Sequence, residues 1–170
     1  MKPKFPHRGS GEKSFFPKNF EEIRPVTDNA RRNGRLSRLA AWIGTALVAV
    51  RAVPLVLHSA AHVELAIFLP SVLANVYIWM VLFIAPVVAA GLLWTSAARS
   101  GAWLLLWSMF GSLIFELYNH FMVMSPDHVS QVPDTFWGHT FQVTAAATAV
   151  LEAAGCAIAI YLLSGPLRRA

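Results

Sequence analysis

VLANVYIWMVLFIAPVVAAGLLW, residues 72–94, contains no charged side chain. A helix rises 1.5 Å per residue, so roughly 20 residues cross the ~30 Å hydrocarbon layer of a bilayer. The stretch therefore predicts a transmembrane helix. Upstream, residues 39–69 are almost continuously apolar and too long for one upright crossing. The first crossing is placed at about 39–59, with His58, Ser59, His62 and Glu64 marking its outer end. Residues 65–70 then form an interfacial turn, punctuated by Pro70 and Ser71. Downstream, Ser96, Arg99 and Ser100 mark a short polar turn before a third crossing at about 102–122. Ser125, Pro126, Asp127, Ser130, Pro133 and Asp134 cannot continue a helix. A fourth crossing follows at about 138–163, ended by Gly165, Pro166 and Arg168.

The expected fold class is an all-α membrane protein, a four-transmembrane-helix bundle with a disordered basic N-terminal tail. Short connections make most neighbours antiparallel. Residues 1–36 form the flexible tail, 37–165 the transmembrane domain and 166–170 a short end. Bulk composition agrees: 56% of the 170 residues are hydrophobic and 14% charged, against roughly 25% charged in soluble proteins.

The net charge of +5 is a property of the tail, because ten of the fourteen Lys and Arg precede residue 39. It does not point to nucleic acid. Phe5, Phe15, Phe16 and Phe20 interleave with Lys4, Lys13 and Lys18, a pattern compatible with lying on an anionic leaflet or with plain disorder. The polar run before the first crossing is unlike a secretory signal, so that crossing is expected to be retained. One cysteine, Cys156, excludes an intramolecular disulfide and a CxxC motif. The glycines form no phosphate-binding or dinucleotide pattern.

Cationic loops stay on the cytoplasmic side. With four crossings the tail, the Arg99 turn, and Arg168 with Arg169 share one side, while the opposite loops carry Glu64, Asp127 and Asp134 and no Lys or Arg. Both termini are thus expected in the cytoplasm, most naturally across a bacterial inner membrane. His58, His62, His120, His128 and His139 then gather near the external face.

His58 and His62 are one helical turn apart, as are Glu116 and His120. Two helices that each present a pair of ligand-type side chains at one depth resemble the way bundle metal sites are built. The candidate metal set is His58, His62, Glu116, His120, His128 and His139. If residues 120–124 are extended, Met122 and Met124 join His120 on one side, which would suit Cu(I); imidazole with carboxylate suits Fe or Zn. Haem b between two of these histidines is an alternative cofactor. Each histidine taken singly is also an ordinary interfacial side chain.

Deeper in the membrane, Arg51 and Glu152 fall at similar depth, and an unpaired charge there is costly, so they are expected to pair, as a structural link or a proton or ion relay. Glu64, Asn75, Tyr77, Tyr118, Asn119 and Gln142 are candidates to orient the imidazoles, with the tyrosines, Trp79 and Trp137 equally suited to an aromatic belt. Gly111, Gly155 and the alanines of 145–154 make the fourth helix a close-packing element, central in the bundle or in an oligomer. Three functions fit: a metalloprotein, with oxidoreductase chemistry on a lipid-soluble substrate; a metal-ion transport component; or an assembly subunit of a larger membrane complex.

Overall fold

The computed structural model describes residues 26–68, 71–165 and 167. The first 25 residues, with the tail phenylalanines, and Pro70, Pro166, Arg168 and Arg169 lie outside the described residues. Every regular element among the described residues is helical, and four helices are long and apolar enough to cross a membrane. They are α1 (Val26–Glu64), α2 (Val72–Leu92), α3 (Ala98–Met122) and α4 (Phe136–Ser164). This is a multi-pass membrane protein.

Two boundaries differ from the sequence expectation. α1 runs on to Glu64 instead of ending near residue 59, because Ser59–Glu64 contains alanines and no helix breaker. His58 and His62 therefore share one uninterrupted helix. At its other end α1 begins at Val26, so residues 26–36, assigned to the flexible tail, are helical. Extending an existing helix adds one hydrogen bond per residue and avoids the cost of nucleation.

The helices alternate in direction. α4 packs between α1 and α3, while α2 lies on the far side of α3. The central place of α4 follows from its buried face, which includes Ala145, Thr148, Gly155 and Ala159, small enough for close approach. A Cβ on Gly155 would come within 2.8 Å of Met109 Cγ. α2 meets α1 through its Ala85–Leu92 half; its other half packs on α3 and stands away from α1.

The bundle is divided along its length. At the end bearing the tail, Ala40, Leu47, Leu93, Leu105, Met109 and Leu162 belong to a continuous buried apolar cluster. Toward the opposite end buried polar residues join Leu55, Ala61, Phe141 and Ala145: Arg51 and His58 on α1, Ser112, Glu116 and His120 on α3, Thr144, Thr148 and Glu152 on α4.

Candidate metal centre

Two helices and a loop bring three imidazoles together. His58 and His62 come from adjacent turns of α1. His120 comes from the last part of α3, where the helix widens into a π-helical turn over Tyr118–Met122. Such turns recur at functional sites because they re-aim a side chain. The 123–135 connection folds back over this end: Val129 N–H donates to the His120 carbonyl (3.0 Å), and Gln142 Nε2 donates to the Val129 carbonyl (2.9 Å). Asp127 is thereby buried beside the rings.

His58 Nε2 lies 3.2 Å from His120 Nε2 and 3.2 Å from His62 Nε2. One ligand nitrogen from each ring falls within 4.8 Å of the others. Phe141 forms the floor, its ring centroid 4.6 Å from that of His58, 5.0 Å from His62 and 5.2 Å from His120.

The other nitrogen of each ring identifies the tautomer. His62 Nδ1 is 3.0 Å from the Ile67 carbonyl and His120 Nδ1 is 2.8 Å from the Asp127 carbonyl. A carbonyl only accepts, so both Nδ1 atoms carry the proton. His58 Nδ1 is 3.1 Å from Thr144 Oγ1, and that hydroxyl donates its own proton to the Thr140 carbonyl at 2.6 Å. It accepts from His58 in turn. In the neutral rings all three Nε2 atoms therefore present bare lone pairs to one another.

The nearby carboxylates add acceptors. Glu116 Oε2 is 3.6 Å from His120 Nε2. Asp127 Oδ1 is 3.4 Å from His62 Nε2 and 3.3 Å from His120 Nδ1, with hydrogen-bond geometry to neither. Glu116 Oε1 and both Asp127 oxygens are buried without a hydrogen-bond partner. Lone pairs crowded at 3.2 Å repel unless a positive charge lies between them. Metal–nitrogen bonds of about 2.0–2.1 Å place ligands about 3.3 Å apart along a tetrahedral edge, close to the two 3.2 Å separations from His58.

Of the six residues proposed from sequence, His58, His62 and His120 converge and Glu116 stands beside them. His139 does not join them; it is exposed and pairs with Asp134 at 2.8 Å. Nor does His128, half-buried and bonded to Ser130 Oγ at 2.9 Å. Met122 and Met124 are exposed as well, because residues 118–122 are helical rather than extended and the every-second-residue alignment does not form. This removes the thioether argument for Cu(I).

The expected orienting residues are used otherwise. Asn119 Nδ2 donates to the Phe115 carbonyl (2.8 Å), Tyr77 stacks on Phe115, Gln142 holds the loop, and Glu64 and Tyr118 are exposed. Thr144 and two backbone carbonyls orient the rings instead. Thr144 had a sequence signal: Thr144, Thr148 and Glu152 are the polar residues of 143–163 and recur every four residues. Asp127 had none beyond its place in a turn.

Arg51 and Glu152 meet below the centre, with Arg51 Nη2 2.5 Å and Nε 3.2 Å from Glu152 Oε1. Arg51 Nη2 also donates to Ser112 Oγ (2.6 Å) and Nη1 to the Leu82 carbonyl (2.8 Å), while Ser112 bonds Glu152. Pro86 has no N–H to offer Leu82 four residues before it, and the guanidinium takes up that carbonyl. One side chain thus links all four helices.

No family model, curated protein or solved structure matches the chain.

Proposed function

We propose that this is a membrane metalloprotein in which His58, His62 and His120 hold one divalent ion, with Glu116 and Asp127 as adjoining carboxylates. The observation that carries this reading is the convergence of three Nε2 atoms, the Nδ1 of each ring facing an oxygen acceptor. That is the arrangement by which proteins orient ligating histidines. Nitrogen with carboxylate oxygen favours iron or zinc over Cu(I).

The spacing favours a bare ion over haem b. Axial ligands on opposite sides of an iron stand about 4 Å apart if each bond is about 2 Å, with a porphyrin between them, and three rings packed around one point leave no slot for it. The apolar cluster at the tail end speaks against transport, since an ion passing Glu152 would meet there only the buried hydroxyl of Ser108, which is turned to the Leu105 carbonyl. The charge bias of the loops supports placing the centre at the external face, with both termini cytoplasmic. Iron there would give an oxidoreductase; zinc would supply Lewis-acid chemistry.

The test is elemental analysis of protein extracted in mild detergent from a native-like host. Near-stoichiometric metal is expected, lost in His58→Ala and His120→Ala and retained in His139→Ala. A metal-free wild-type protein, or retention in both cluster variants, overturns the reading.

A further inference from the structure

A cavity of about 480 Å³ adjoins the three histidines, lined by α1, α2 and α3. Leu55, Ile78, Leu82, Phe83 and Phe115 form its apolar walls. Its polar end is made by the three histidines with Glu116 and Asp127. Val56, Val63 and Trp79 also line it and are 60%, 64% and 60% exposed, so the mouth faces outward between α1 and the half of α2 that stands away from it. All three lie within membrane-crossing helices, and the mouth therefore opens to lipid.

Two properties select the occupant. Volume admits a single chain and excludes a two-chain phospholipid. At the polar end the oxygens without a hydrogen bond are those of two side-chain carboxyls: Glu116 Oε1, 2% exposed for the residue as a whole, and both Asp127 oxygens. Ser59 and Asn75, the other polar lining residues, turn donors to the Leu55 and Ser71 carbonyls. A head group that donates a hydrogen bond satisfies these oxygens, while a deprotonated acid head has no hydrogen to donate to them.

We propose that the cavity takes up, sideways from the bilayer, a single-chain lipid-soluble molecule with a hydroxyl head. Its chain lies along Leu55, Ile78 and Phe83, and its hydroxyl donates to Glu116 beside the three imidazoles. This names the ligand class for the proposed metal centre and builds on that reading; it shares Glu116 and Asp127 with it and adds the apolar walls of the cavity.

The experiment uses the full chain in liposomes with hexadecanol carrying a photoreactive diazirine on its chain, adducts being mapped by mass spectrometry. Adducts are expected on the α1 and α2 segments holding Leu55, Ile78 and Phe83. Excess hexadecanol is expected to reduce them about tenfold, a difference of about 1.4 kcal/mol in occupancy, with hexadecane or palmitate having little effect. Ile78→Trp, which fills the cavity, and Val56→Trp, which narrows its mouth, are expected to keep their metal and lose the adducts. Val150→Trp on the exposed face of α4 keeps both.

Adducts confined to exposed faces, or competed equally by hexadecane or palmitate, overturn the proposal. Full metal without cavity adducts removes the ligand and leaves the centre. Cavity adducts on a metal-free protein remove the centre and leave the ligand.

Discussion

Thr144 offers no atom to an ion, yet its hydroxyl decides which nitrogen of His58 carries the proton. Thr144→Val keeps the shape and deletes the acceptor, so the ring is free to turn or to move its proton to Nε2. Losing such an orienting partner typically lowers metal affinity by about 10–100-fold. That loss is expected for Thr144→Val, with Thr144→Ser near wild type, by competition titration against a chelator. Ala66 works similarly from the backbone. It sits at φ 53°, where a Cβ is strained, and turns the chain so that the Ile67 carbonyl reaches His62. At this scale the sequence was partly legible. Helical spacing exposed His58 with His62 and Glu116 with His120, whereas a backbone carbonyl from a loop leaves no mark in the residue pattern.

Irregular turns within the helices place the site. α2 widens into a π-helical stretch over Ile78–Ile84 just before Pro86, and the Leu82 carbonyl in that stretch receives Arg51. The Asp127 loop is anchored where Gly138 meets Pro133: a Cβ on Gly138 would fall 1.9 Å from the Pro133 carbonyl oxygen. Gly138→Ala is expected to destabilise by about 1–3 kcal/mol, as overpacking does, and to weaken metal retention through the loop. Gly91, whose Cβ position is open, is the control, since Gly91→Ala should stabilise by about 0.5–1 kcal/mol. Thermal unfolding in detergent measures both. Hydrophobic runs and turn formers revealed four helices and most of their ends to within a few residues, but not the start of α1, which begins at Val26 rather than near residue 39. They did not reveal the π-helical turns, which arise from packing and from the carbonyl that Pro86 leaves unmatched.

Arg51 ties the four helices together at the depth where the polar and apolar halves of the molecule meet. Removing one partner of a buried ion pair strands the other, at a cost of about 3–5 kcal/mol. Arg51→Met alone is therefore expected to unfold at lower temperature than Arg51→Met with Glu152→Leu, which recovers most of the loss. Equal losses in single and double variants would mean that the pair contributes through shape alone. This pairing was legible because two isolated charges at one depth in hydrocarbon have few other partners. The lateral cavity was not, because periodicity says nothing about which neighbouring helices stand apart. The apolar tail half has an electrical consequence. A unit charge moved through a whole membrane potential changes in energy by about 2.3 kcal/mol per 100 mV, and that drop concentrates where the medium is least polarisable. An ion among the histidines sits beyond the insulating half, so its occupancy follows the chemistry of the compartment it faces and is nearly independent of the voltage across the membrane.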